Sequence, residues 1–253
     1  MSRFGHAAKD RCIVRSFRVE LSGGSTIDPH HHDWHQLVYA SYGALEVTTP
    51  ANTWLVPSRR AVWVPADARH SILVLGRTLV ETIYVAAAFE RDVPRECTAI
   101  NVSDLLRALV IDIARIGTLD ETQPQHRRLA GVLLDLVRSA AQLDLQVPMP
   151  ADDRALAVAR MVLDDPANKE TLAALARRAA SSERTMARVF VQETGMTFAR
   201  WRAAARFVRA VRDLASGTPI GEVAGEVGYE SPSAFISAFK RAFGVTPGRF
   251  LND

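Results

Sequence analysis

The residues best suited to chemistry crowd into one octapeptide, Pro29-His30-His31-His32-Asp33-Trp34-His35-Gln36. It carries four of the seven histidines in the chain. Imidazole titrates near neutral pH and is a common ligand for divalent transition metals. Strand alternation sets His30, His32 and, where it continues, Gln36 on one face, with His31 and Asp33 on the other. A His-x-His pair on one sheet face is a metal-ligand arrangement. The same cluster can instead line a pocket without metal or stand as a structural or solvated group. A second reactive set lies near the C-terminus, where nearly every cation is arginine, among them Arg184, Arg188, Arg200, Arg202, Arg206, Arg209, Arg212 and Arg241. The guanidinium fork suits phosphate and the guanine edge. No nucleophile triad, phosphate-cradling glycine loop or cysteine-based zinc spacing is present.

The charge of the whole chain, +3 over 253 residues, is an average of two unlike parts. Residues 1–150 are neutral, and the excess falls in 151–253, reaching +5 from Lys169 onward. Such asymmetry points to a polyanion partner for the C-terminal part, although a solvated helical surface would give the same tally. At 48% apolar content the chain is globular rather than disordered. Its two cysteines, Cys12 and Cys97, exclude a disulfide scaffold. No apolar run is long enough to span a membrane, and residues 1–18 lack a signal-peptide core. These features predict a soluble cytoplasmic protein.

The elements that must position these residues change character twice. Residues 11–90 hold short β-rich runs, Leu37–Tyr39, Leu45–Thr48, Trp54–Val56, Ala61–Val64, Ser71–Leu75 and Leu79–Val85, divided by Gly and Pro. Close, regular spacing of this kind predicts an antiparallel sandwich or barrel. The period then lengthens to helical. Leu105, Leu109, Ile113 and Ile116 mark one helix, and Leu129, Leu133, Leu136, Ala140 and Leu143 a second, joined around Gly117–Pro124. The second stripe forms an a/d seam that either packs on the barrel or builds a homodimer interface. The prolines of 146–152 mark a linker. The expected organisation is therefore a barrel domain over 1–98, a helical pair over 99–145, a linker over 146–152 and a helical domain over 153–253.

That last domain contains a duplication. Leu172, Leu175, Ala176 and Ala179 recur 48 residues later as Ile220, Val223, Ala224 and Val227. Ser182, Met186, Phe190, Gly195 and Thr197 recur 49 residues later as Ser231, Phe235, Phe239, Gly244 and Thr246. Each copy reads as a short helix, a tight turn, and a second helix with a serine N-cap and a glycine stop. This is a helix-turn-helix present twice. Between the copies Thr197–Leu214 forms one helix of roughly 27 Å. That length suits two recognition helices entering successive major-groove openings, about 34 Å apart on one duplex face.

On these residues the stretch 153–253 resembles the DNA-binding domain of the AraC family of bacterial transcription regulators. The run Ile220-Gly-Glu-Val-Ala-Gly-Glu-Val-Gly-Tyr-Glu-Ser231, with Phe235, Phe239-Lys-Arg and Phe243-Gly-Val-Thr-Pro247, is close to that family's signature. Helix faces then name the DNA-facing residues. They are Arg184, Ala187, Arg188 and Val191 on the first recognition helix, and Ser233, Ile236 and Ser237 on the second. Lys240 and Arg241 are placed for phosphate. The arginine pair makes the first motif the dominant reader.

The N-terminal spacing resembles the cupin motifs. Gly24, His30, His32, Gln36 and Gly43 follow the first, and Pro65, Asp67 and His70 part of the second. That resemblance implies that His30, His32 and His70 converge inside a cupin-like jelly roll, where they would hold a divalent transition metal or line an effector pocket. Gln36 stands where metal-binding cupins carry Glu, and Asp67 where Gly is usual. The fold class is α+β: an antiparallel β-barrel with a helical hairpin, then an all-α domain with two helix-turn-helix motifs joined by a long helix. The function implied is a DNA-binding transcription regulator, an activator in the usual mode of the family, responding to a small molecule or metal. Its partners would be double-stranded DNA, RNA polymerase and a second copy of the chain. The alternative is a cupin-type metalloenzyme with a helical appendage.

Overall fold

The computed structural model describes residues 11–89, 92–141 and 146–252. The chain divides into two compact units, Met1–Pro50, Trp54–Leu145 and Leu251–Asp253 in one, Ala51–Thr53 and Gln146–Phe250 in the other. Each is described by itself.

The first unit is an antiparallel sheet with a helical pair. Its strands are β1 (Cys12–Leu21), β2 (Thr26–His30), β3 (Trp34–Thr48), β4 (Asn52–Pro57), β5 (Arg60–Val64), β6 (His70–Ala86), β7 (Thr98–Asn101) and β8 (Thr118–Asp120). The hydrogen-bonded order is β7-β5-β3-β6-β1-β8, with β2 on β6 and β4 on β3. Among the described residues the path ends at β7 and β8 without joining them. The expected barrel is thus a folded-over sheet that does not close.

Several runs expected as separate strands are halves of longer ones. Leu37–Tyr39 and Leu45–Thr48 both belong to β3, and Ser71–Leu75 and Leu79–Val85 both belong to β6. The register between β3 and β6 shifts at Ala40/Tyr42 and again at Tyr42/Ala44. That irregularity reverses the parity of β3. Val38 and Ala40 before it, and Leu45 and Val47 after it, face one core with Trp54, Val62, Val64, Ile72, Val74 and Val80. Gly43 sits at the bend with φ 79°, and a Cβ there would collide with Thr78.

The opposite face of the sheet carries helices α1 (Asp104–Ile116) and α2 (Pro124–Ser139). Leu106, Leu109, Val110 and Ile113 of α1 join Ala130, Leu133, Leu134 and Val137 of α2 over Leu37, Tyr39, Trp63, Ile83 and Ile100. The helical period is as expected, but the α1 stripe is displaced. Leu105 and Ile116, expected inside, are exposed, because Leu106 and Val110 occupy the sheet-facing side. In α2, Leu133 is fully buried, while Leu129, Leu136 and Ala140 pack at its margin. Leu143 lies outside the described residues.

The second unit begins with a short strand, β9 (Gln146–Pro148), inside the stretch expected as a linker. It is followed by helices α3 (Asp153–Asp164), α4 (Leu172–Arg178), α5 (Glu183–Thr194), α6 (Phe198–Ala215), α7 (Ile220–Glu226), α8 (Pro232–Phe243) and α9 (Pro247–Asn252). Residues of 146–152 are tied to this unit. The Trp201 indole donates to the Pro148 carbonyl at 2.6 Å, and Glu193 accepts from the backbone of Ala151 and Asp152.

Candidate functional site

The two turns of the duplication close with matching backbone hydrogen bonds, although Thr171 caps α4 with its side chain and Pro219 does not cap α7. In the first copy the Ser181 amide donates to the Ala176 carbonyl at 2.9 Å, and in the second the Tyr229 amide donates to Ala224 at 2.8 Å. The preceding residues, Ala180 and Gly228, are left-handed (φ 51° and 80°) and donate to Arg177 and Gly225. This paired closure is the Schellman stop. The second helices then start on equivalent caps, Ser182 accepting from the Thr185 amide and Ser231 from Ala234. The change of offset falls at Glu230, one extra residue in the second turn.

Helix α6 supplies a core to each copy. Phe198 and Trp201 pack on Phe190 of α5, with ring centroids 5.0 and 5.4 Å apart. Phe207 packs on Phe239 and Phe243 of α8 at 5.4 and 5.3 Å. Buried Met186 and Phe190, and buried Phe235 and Phe239, fix which face of α5 and α8 turns outward. Arg184, Ala187, Arg188 and Val191 are exposed together on α5. On α8, Ser233, Ser237, Lys240 and Arg241 are exposed, whereas Ile236 is half-buried. Arg188 donates to Gln192 at 2.9 Å, which adds an exposed amide to this face. Helical spacing alone could have found Gln192.

Two arginines of α6, Arg202 and Arg206, are committed to the fold. Arg206 donates to the Pro166 and Asn168 carbonyls at 2.8 and 3.0 Å, and Arg202 to the Glu170 carbonyl at 2.8 Å. Arg202 also lies over the Phe198 ring, 4.5 Å from its centroid. These side chains satisfy the connection between α3 and α4, so they hold the fold.

In the first unit, His30, His32 and His70 converge, with one ligand atom from each within 4.8 Å of the others. Simple alternation along 30–36 is not what gathers them. The strand breaks after His30 and resumes at Trp34, so His32 sits in the connection. His30 is the register partner of His70 across β2 and β6, and Gln36 is that of Tyr84 across β3 and β6. Asp67 takes φ 64°, and its amide donates to the His32 carbonyl at 2.8 Å. This explains the place of Asp where Gly is usual, since Asp tolerates the left-handed region better than most residues.

Each ring is oriented by a backbone carbonyl. The Nδ1 atoms of His30, His32 and His70 donate to Asp28, Trp34 and Ala68 at 2.8, 2.7 and 2.9 Å. A carbonyl only accepts, so Nδ1 carries the hydrogen and Nε2 presents a lone pair. Gln36 Oε1 lies 3.0 Å from Nε2 of His32 and 2.9 Å from Nε2 of His70. The Gln36 amide nitrogen donates to Thr82 Oγ1 at 2.8 Å and to the Tyr84 hydroxyl at 3.1 Å. Burial lowers the pKa of His70 to about 4 and depresses that of His30. Burial raises the Tyr84 hydroxyl to about 12, which keeps it neutral. Thr82 and Tyr84 carry no signal in the sequence, where nothing but cross-strand register links them to Gln36. His35 faces away from the cluster, stacked on Trp63, and accepts from the Ala66 amide.

A helix-turn-helix domain model matches residues 175–253. The chain is 32% identical over 222 residues to the HTH-type transcriptional regulator NimR of Escherichia coli K12, covering 88% of this chain and 81% of that one. It is 38% identical over 87 residues to a putative AraC-like transcription regulator of Streptomyces antibioticus, covering 34% and 29% of the two chains. Among solved structures, the DNA-binding domain of AdpA in complex with a target DNA is 32% identical over 39% of this chain and 90% of that one, with a TM-score of 0.37.

Proposed function

This chain belongs to the AraC family of helix-turn-helix transcription regulators, and we propose that it reads DNA with α5 and α8 while an effector bound in the first unit sets its response. The observation that carries the reading is the doubled motif itself. Two identically capped turns present two helices from one chain, and α5 exposes Arg184 and Arg188 four residues apart on one face. In this reading Arg184 and Arg188 contact base edges, with Ala187 and Val191 beside them. Ser233, Ile236 and Ser237 make weaker contacts from α8, and Lys240 and Arg241 bind phosphate.

The effector is a small molecule or metal held by His30, His32, Gln36 and His70. To act, it must bind one state of the protein more tightly than another. The chain works as a homodimer in the cytoplasm, activates transcription by contacting RNA polymerase, and turns over no substrate. Exposed Leu105 on α1 and Val132 on α2 support the dimer. Among the described residues no helix is long and apolar enough to cross a membrane.

Footprinting on the DNA beside its own gene, with and without candidate ligands and divalent metals, tests the proposal. Two protected major-groove segments per protomer, about one helical turn apart, are expected. A single segment would overturn the two-helix reading. A turnover screen on metal-loaded protein separates the regulator from a cupin-type metalloenzyme.

A further inference from the structure

We propose that a cavity beside α5 binds a small organic carboxylate with an apolar body, and that the bound acid competes with DNA. The competition rests on the reading that α5 faces DNA. The site itself does not.

The cavity lies within the second unit, among α4, α5 and α6, and measures about 550 Å³. Small-molecule sites commonly measure about 300–1,000 Å³. Its walls are built from residues four apart, which share one side of a helix. Ala187 and Val191 come from α5, Ala199 and Ala203 from α6, and Leu172 joins them from α4. The alanines are too short to fill the gap between the helices. Walls of this kind suit an apolar body. Charge narrows the choice, because Arg202 and Arg206 also line the cavity and no carboxylate does.

The state of these two cations names the ligand. Arg206 commits Nε and Nη2 to the Pro166 and Asn168 carbonyls. Arg202 commits Nη2 to the Glu170 carbonyl, and its guanidinium lies over the Phe198 ring. The Nε of Arg202 is buried and has no hydrogen-bond acceptor. Leaving a charged donor unmet in a buried place is destabilising. The Glu170 carboxylate does not answer it, being bound by Arg178 at 2.6 Å. Burial disfavours the charge of both arginines, and Arg206 also repels Arg202. An anion reaching Arg202 through the cavity relieves both faults. A carboxylate matches the guanidinium in shape and charge. An apolar body behind it packs on the alanines and Val191. A phosphate diester offers no such body, which separates this site from the exposed Arg184 and Arg188. Ala187 and Val191 belong both to the cavity wall and to the face assigned to DNA, so an acid packed on them stands in the path of the duplex.

The test titrates the full chain by calorimetry with cinnamate and with cinnamamide, which keeps the apolar body and removes the charge. One equivalent of cinnamate should bind, with Kd between about 10 μM and 1 mM. Cinnamamide should bind roughly 10–100-fold more weakly, the range of one charged hydrogen bond. Arg202→Gln should bring cinnamate down to the level of the amide. Ala203→Leu fills the cavity while keeping both arginines, and it should abolish binding even if Arg202→Gln does not fold. No binding of cinnamate to the wild type up to about 1 mM overturns the site. Equal affinity for acid and amide overturns it too, as does undiminished binding by Ala203→Leu, which would place the acid elsewhere in the chain. DNA affinity is read on the same samples by fluorescence anisotropy, and saturating cinnamate should weaken it at least about tenfold. Cinnamate binding that leaves DNA affinity unchanged upholds the site and overturns the competition. DNA binding without cinnamate binding overturns the site and leaves the DNA reading of α5 standing.

Discussion

The exposed Arg188, proposed to contact DNA, and Arg206, tied to backbone carbonyls, are told apart by single substitutions. Arg188 is exposed on α5, so Arg188→Ala should leave folding intact, cost about 1–3 kcal/mol of specific binding and relax preference at one base pair. Selection from randomised sites checks this, and an unchanged preference would refute the assignment. Arg206 satisfies the Pro166 and Asn168 carbonyls. Arg206→Ala should instead lower thermal stability, by about 1–3 kcal/mol for the lost charged hydrogen bonds, with base preference unchanged. His70 makes stability depend on pH. Its folded pKa of about 4 lies below the usual 6.5, so the unfolded chain binds the extra proton between those values. Chelated protein should therefore lose stability as pH falls from about 6.5 toward 4, by up to about 3 kcal/mol. Chemical denaturation at stepped pH should show His70→Gln with a flatter profile.

At the scale of elements, the two helix-turn-helix copies differ in how their turns are made. Gly228 takes its left-handed conformation freely, whereas Ala180 holds an equivalent φ of 51° with a Cβ. Ala180 is exposed, so Ala180→Gly should stabilise the unit by about 0.5–1 kcal/mol, read as a raised Tm. Gly228→Ala should do the opposite, since its Cβ would meet the Arg206 guanidinium at 2.8 Å. Periodicity, caps and glycine stops made these helices legible in the chain, because each depends on residues within a few positions of one another. The sheet was less legible. A register shift in the middle of β3 reversed its faces, and that shift is set by pairing with β6, some forty residues away. The α1 stripe was misplaced for a related reason, as Leu105 and Leu106 are equally apolar and contact with the sheet chooses between them.

At the scale of the whole molecule, charge bears on the DNA partner. The basic excess beyond Lys169 predicts DNA affinity that falls steeply with salt. Lys240→Ala should weaken binding evenly across sequences and reduce the salt slope by about one. Light scattering after size exclusion tests the proposed dimer, with Leu105→Asp expected to shift it toward monomer.

Local information sufficed for the doubled helix-turn-helix, its buried aromatic faces and its exposed arginines, because helix hydrogen bonds and caps join near neighbours. It also named the three histidines, through their types and the spacing of the motifs around them. The unclosed sheet, the role of Arg206 and the Thr82–Tyr84 support for Gln36 were decided by tertiary structure alone. Each depends on strands or loops far apart in sequence, whose meeting is governed by register and packing rather than by any adjacent residue.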